Sequence, residues 1–179
     1  MSRAAFLDRD GVINRALVRE GKPKAPLTVE ELEILEGVEE SVDILKSQGY
    51  EIVVVSNQPD ISRGLLQRSK LDEINAIVSR KTGIRHFRVC PHDNRDRCRC
   101  RKPLPGLIID AATELNLDLP NSFLVGDRWS DIEAGNAAGC NCFYIDYDYD
   151  EPKPKNNFVR VSSLLHATTL LGGQSKYAG

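Results

Sequence analysis

The 179-residue chain is 41% hydrophobic and 28% charged, proportions that suit one folded domain and exclude a disordered segment. A formal net charge of −2 gives no whole-molecule attraction to nucleic acid or an anionic membrane, so neither partner is expected. No stretch approaches the roughly 18 to 20 apolar residues that span a bilayer, and no secretory h-region precedes the first apolar run, so cytoplasmic residence is the expectation.

Short apolar runs alternate with helical spacings, which predicts βαβ units and a single doubly wound, Rossmann-like parallel sheet with helices on both faces. Ala4 to Leu7 reads as a buried first strand ending at Asp8. Glu20 to Pro26 reads as a surface loop. Val38, Val42 and Leu45 follow helical spacing, with Gly49 as the stop. Ile52 to Val55 is the β-branched run a central parallel strand needs. Leu71, Ile74, Ile77 and Val78 mark the next helical face, closed by Gly83, and a short strand covers Phe87 to Cys90. Leu107, Ile108, Ala111, Ala112 and Leu115 make a helix with Pro105 near its first turn. Phe123 to Val125 is a strand, Ile132 to Ala138 a short helix, and Cys142 to Ile145 a last strand. Val161, Leu164 and Leu165 begin a closing helix, Asp148 to Asn157 is a loop, and Gly172 to Gly179 a flexible tail. One domain over residues 1–171, acting as a monomer, is expected.

The polar motifs fall just after predicted strands, where ligands bind in open α/β sheets. Asp8 and Asp10, two apart on an extended segment, face the same way, and Gly11 lets the backbone turn away. Such carboxylates repel, and a magnesium ion is the simplest way to keep both ionised; one can then attack phosphorus while the other protonates the leaving oxygen. Taken alone, the tetrapeptide is equally a turn with two solvated aspartates. Later strand ends add a hydroxyl and an amide at Ser56 and Asn57, a cation at Lys102, and two carboxylates at Asp127 and Asp131. A transferring phosphoryl group needs donors for its equatorial oxygens and a metal for its charge, which Ser56 with nearby amides, Lys102, and magnesium on Asp8 and Asp127 would supply.

These motifs, in this order from about Ala5 to Ala138, resemble those of the haloacid dehalogenase-like phosphatases. The resemblance implies that Asp8 is a nucleophile passing through an aspartyl-phosphate and that Asp10 is general acid and then base. It also implies magnesium on Asp8, the Asp10 backbone carbonyl and Asp127, with Asp131 orienting the metal's shell and Ser56 and Lys102 holding phosphate.

Cys90-Pro91-His92 and Cys98-Arg99-Cys100 give three thiolates and one imidazole, a closed four-ligand set suited to structural zinc. Folding residues 90–102 around zinc would carry Lys102 to the phosphate, whereas Cys140 and Cys142 read as core. The loop resembles the branch containing D-glycero-D-manno-heptose 1,7-bisphosphate phosphatases and histidinol-phosphate phosphatases, and that resemblance implies a fold with no large cap domain. Arg99 between the cysteines and Pro59-Asp60 depart from the common pattern, and the stretch from Arg15 to Glu36 matches poorly, so no residue is transferred from it. The excess of arginine around the loop suits a second phosphate, with Arg63 and Arg101 as receivers, and a sugar bisphosphate is the expected substrate. Removal of the 7-phosphate of the heptose bisphosphate is favoured over a histidinol-phosphate phosphatase, whose cationic substrate would prefer acidic neighbours. A nucleic-acid 3′-phosphatase is the remaining catalytic alternative, disfavoured by the lack of an aromatic stacking platform, and a non-catalytic zinc-stapled module the remaining non-catalytic one.

Overall fold

The structure, a computed structural model, describes residues 1–155 and 157–174. Its main sheet has six strands, all parallel: β1 (Arg3–Leu7), β4 (Tyr50–Asn57), β5 (His86–Cys90), β6 (Phe123–Gly126), β7 (Asn141–Ile145) and β8 (Val159–Val161). They lie in the order β5-β4-β1-β6-β7-β8. The chain builds outward from β1 to β5, then returns to the other side of β1, so the switch point lies beside β1.

Parallel strands covered on both faces must be apolar on both, and alternation divides their side chains between two cores. Ala5, Leu7 and Val54 point to one face, where helices α1 (Val38–Ser47), α2 (Arg68–Thr82) and α5 (Leu164–Gln174) contribute Val42, Val78 and Leu164. Ala4, Phe6 and Val55 point to the other, against Ile108 of α3 (Gly106–Leu115) and Ile132 of α4 (Trp129–Ala138). Cys140 and Cys142 are buried there, as core residues should be. The doubly wound sheet is therefore the fold the hydrophobic periods predict. No helix among the described residues is long and apolar enough to cross a membrane.

Three expectations need correction. Glu20 to Pro26 is not all loop, because β2 (Leu17–Arg19) and β3 (Lys22–Lys24) pair as an antiparallel hairpin with Arg19 opposite Lys22. Its two central residues, Glu20 at φ 53 and Gly21 at φ 72, have the positive φ values of a type I′ turn. Val161 ends β8 instead of starting the closing helix, which begins at Leu164. Gly172 to Gln174 continue α5, and residues 175–179 of the expected tail lie outside the described residues.

Candidate active site

Asp8 leaves the carboxyl end of β1 and Asp127 that of the neighbouring β6, so the central pair of strands delivers two carboxylates to one point. Asp131 joins them from the first turn of α4, and its Oδ2 accepts a hydrogen bond from the Arg128 amide at 3.0 Å. One oxygen of each of the three can lie within 4.8 Å of the others, and all three residues are buried. Gly11, at φ +99, passes so close that a Cβ there would lie 1.9 Å from Asp127 Oδ2. Only glycine admits that approach.

Lys102 reaches the same point and is 3% exposed. Its Nζ lies 2.8 Å from Asp8 Oδ1, 2.6 Å from Asp131 Oδ1 and 2.7 Å from the Val55 carbonyl oxygen. Burial alone would lower the lysine's pKa, but Asp131 and Asp8 outweigh it and raise it, so the ammonium persists. One cation does not neutralise three buried carboxylates. Burial pushes Asp8 up to about 7, aided by Asp131 and Asp10 and opposed by Lys102. Asp127 is raised as well, by burial and then by Asp8 and Asp131.

Asp127 tests whether a metal fits. Its Oδ2 accepts from the Tyr149 hydroxyl at 2.8 Å, while its buried Oδ1 has no partner among the described residues. A buried, unpaired carboxylate oxygen beside two further carboxylates fits a hard divalent cation such as magnesium. The raised Asp8 pKa gives a testable consequence for the metal-free protein. Between 3.8 and about 7 the native chain holds a proton that the unfolded chain has lost, so stability falls as pH rises across that window. Thermal unfolding without magnesium should show this slope; Asp8→Asn should lessen it, leaving the part that buried Asp127 contributes, and added magnesium should stabilise the wild type most at the high-pH end.

Asp10 is held differently. Its carboxylate accepts from Asn14 Nδ2 at 3.0 Å, Gln58 Nε2 at 2.7 Å, and the Arg9 guanidinium at 3.0 to 3.2 Å. Arg9 is itself 1% exposed and donates to Asn75 Oδ1. The signal for these supports was a charged residue between two aspartates that the apolar surroundings could bury only if it were paired.

Asp8, Asp10, Asn57, Arg63, Arg101, Lys102 and Asp131 line one crevice, of about 150 Å³. Asn57 does so while clamping the backbone of Lys102, accepting from its N at 3.1 Å and donating to its O at 3.0 Å. Ser56 is 1% exposed, with Gln58 Nε2 donating to its hydroxyl, and does not line the crevice. Arg63 is already matched in charge, by Asp93 at 2.9 Å and Asp60 at 3.2 Å. Arg101 has neutral partners only, Asn94 Oδ1 at 2.7 Å and the His92 carbonyl at 3.1 Å. Sequence reasoning passed over Lys22 and Lys24 of β3, Arg128 and Glu151, all of which line the same crevice.

Cys90, His92, Cys98 and Cys100 gather beside it, each offering a ligand atom within 4.8 Å of the others. Cys90 Sγ lies 3.1 Å from Cys100 Sγ and 3.6 Å from Cys98 Sγ, and His92 Nδ1 lies 3.3 Å from Cys100 Sγ. All three thiols are free. These separations approach the roughly 3.7 Å edge of a tetrahedron with zinc–sulfur bonds near 2.3 Å. The cluster is a possible metal site. Of the pattern's departures, Arg99 turns outward to pair with Asp110, whereas Pro59 and Asp60 line the crevice.

The family of haloacid dehalogenase-like hydrolases matches residues 3–139. A D-glycero-beta-D-manno-heptose-1,7-bisphosphate 7-phosphatase of Rhodopseudomonas palustris is 38% identical over 151 residues, 76% of this chain and 79% of its own. A D-glycero-alpha-D-manno-heptose-1,7-bisphosphate 7-phosphatase of Photorhabdus laumondii is 30% identical over 182 residues, covering 94% of this chain and 96% of its own. Among solved structures, the D,D-heptose 1,7-bisphosphate phosphatase from B. bronchiseptica, complexed with magnesium and phosphate, superimposes with a TM-score of 0.82. It is 25% identical and covers 96% of this chain and 99% of its own.

Proposed function

The chain belongs to the haloacid dehalogenase-like hydrolases and is a phosphatase, and on that premise we propose that it removes the 7-phosphate of D-glycero-D-manno-heptose 1,7-bisphosphate. The observation that carries the chemistry is the convergence of Asp8, Asp127 and Asp131 on one point, with Lys102 bonded to two of them and Asp127 Oδ1 unpaired. Asp8, the Asp10 backbone carbonyl and Asp127 would hold magnesium, with Asp131 orienting its shell; bound there, the ion would neutralise charge on the transferring group.

In the first step an Asp8 carboxylate oxygen attacks phosphorus, the bond to the sugar oxygen breaks, and Asp10 gives that oxygen a proton. In the second, Asp10 takes a proton from water as the water attacks the aspartyl-phosphate, releasing phosphate and restoring Asp8. Lys102, bonded to Asp8 Oδ1, would donate to the phosphoryl oxygens. Asn57 belongs to the same phosphate cradle and serves it also by fixing the backbone of Lys102, whereas Ser56, set back from the crevice, would join it only by turning its hydroxyl toward the phosphate. Arg101, lining the crevice without a carboxylate partner, suits the remaining phosphate, with Arg63 beside it.

Zinc on Cys90, His92, Cys98 and Cys100 would staple the loop that leads into Lys102; thiols kept free as ligands accord with the cytoplasmic residence expected from the sequence. We take the working unit to be a monomer, folded as one domain over residues 1–171.

The test is steady-state phosphate release from the heptose bisphosphate and from histidinol phosphate, with and without magnesium. The bisphosphate should have the higher kcat/KM, with turnover abolished by removal of magnesium and restored by its return. Elemental analysis of the same preparation should find about one zinc per chain. A higher kcat/KM for histidinol phosphate sinks the substrate reading and leaves the aspartate chemistry standing.

A further inference from the structure

The crevice is lined by the zinc-loop side, which the motifs point to, and by a wall from a segment that matches the family motifs poorly. That wall is β3, whose Lys22, Pro23 and Lys24 face the same space as Asp8 and Lys102. Residues two apart on a strand point the same way, so the two ammonium groups are presented together.

Charge balance separates these lysines from the other cations of the crevice. Lys102 is paired with Asp8 and Asp131, Arg63 with Asp60 and Asp93, and Arg128 with Glu151. Among the described residues, neither Lys22 nor Lys24 has a carboxylate within ion-pair distance. With Arg101 they make three cations left over at the rim. Two like charges on one strand repel, and an anion bound between them relieves the repulsion.

The hairpin is also fixed in place. The amide of Asp150 donates to the Gly21 carbonyl at 2.9 Å, tying the turn to the loop that carries Tyr147 and Tyr149. Those tyrosines donate to the Gly11 carbonyl at 3.0 Å and to Asp127 Oδ2 at 2.8 Å. The turn is thus connected through one short loop to a carboxylate of the candidate metal site. The cavity itself holds about 150 Å³, below the roughly 300 Å³ at which small-molecule sites begin. One end of a sugar bisphosphate fills it, and the other is left at the rim.

We propose that the β2–β3 hairpin is a second anion subsite, in which Lys22 and Lys24 select substrates that carry a distal phosphate. This rests on the bisphosphatase reading above, and it adds to the crevice shared with Arg101 a wall that the family motifs do not describe.

The experiment compares kcat/KM for heptose 1,7-bisphosphate and heptose 7-phosphate in the wild type, in Lys22→Ala/Lys24→Ala, and in Lys22→Arg/Lys24→Arg. Thermal unfolding of each variant verifies the fold. The alanine pair should lower the bisphosphate-to-monophosphate preference about ten- to hundredfold, mostly through KM, as expected for lost charge-assisted bonds. The arginine pair should keep most of the preference, and rising salt should erode it in the wild type. A wild type that prefers the bisphosphate and an alanine pair that prefers it equally would overturn the hairpin's role alone. A wild type without any preference would overturn the bisphosphate reading and the subsite with it.

Discussion

Asp8→Asn should lower kcat on the order of 10⁴-fold or more, the scale on which losing a covalent nucleophile is felt, while the fold persists. The carboxamide matches the carboxylate in shape, and its oxygen can still accept from Lys102 Nζ, which lies 2.8 Å from Asp8 Oδ1. What it cannot do is bond to phosphorus and leave again as a stable carboxylate. The substitution also removes a negative charge from a buried site where burial, Asp131 and Asp10 already push the acid up to about 7. Stability near neutral pH in the absence of magnesium should therefore hold or rise. Purified Asp8→Asn with wild-type turnover would defeat the nucleophile assignment. A variant that loses turnover only because it unfolds would defeat the electrostatic account, and thermal unfolding of the same sample distinguishes the two. Asp10 is a different case, because its carboxylate is tied by Arg9, Asn14 and Gln58. Its loss removes proton transfer and also leaves the buried Arg9 with Asn75 but without its carboxylate.

The sheet was legible because burial on both faces forces near-continuous apolar runs, and Val53-Val54-Val55 and Phe123-Leu124-Val125 have no other use. The carboxylates were legible because Asp8 and Asp127 follow such runs directly and Asp10 and Asp131 lie within a few residues of them. The hairpin was not. Three-residue strands at the surface carry little hydrophobic signal, Pro23 argues against a ladder, and Glu20-Gly21 is a less common occupant of a type I′ turn than Asn-Gly. Missing the hairpin meant missing Lys22 and Lys24. Tyr149 was hidden for another reason, since its contact with Asp127 spans 22 residues and depends on how the loop after β7 returns over the site. Local pattern carries no trace of that return. Arg63 shows the converse, a cation whose place in the sequence suggested substrate but which the fold brings against Asp93 and Asp60.

The second large effect is expected at Lys102. Lys102→Met keeps most of the side-chain volume and removes the one charge that bonds to Asp8 and Asp131, at 2.8 and 2.6 Å. Breaking a buried ion pair by deleting one partner costs about 3 to 5 kcal/mol, because the other charge is left uncompensated. For a chain of this size that is a fall in Tm of about 6 to 20 °C. The loop itself should stay in place, since Asn57 holds the backbone of Lys102 through two hydrogen bonds independent of Nζ. The loss is then one of charge, and a cation from solution can replace part of it. Magnesium should recover more of the stability of Lys102→Met than it adds to the wild type. Turnover is a separate matter. A metal on Asp8 and Asp127 does not restore a donor on the lysine side, so kcat should remain down by about 10² to 10³ even at saturating magnesium, as for other removed oxyanion donors. Lys102→Arg should not rescue it, because a planar fork cannot reach Asp8, Asp131 and the Val55 carbonyl from the space that a single ammonium occupies. Unfolding curves with and without magnesium, run beside kinetics on the same preparations, test both halves. If Lys102→Met matches the wild type in stability without magnesium, the buried carboxylates are neutral in that state and the lysine is not their counter-charge. If its kcat recovers fully with magnesium, the lysine serves only to hold the site together and takes no part in stabilising the phosphoryl group.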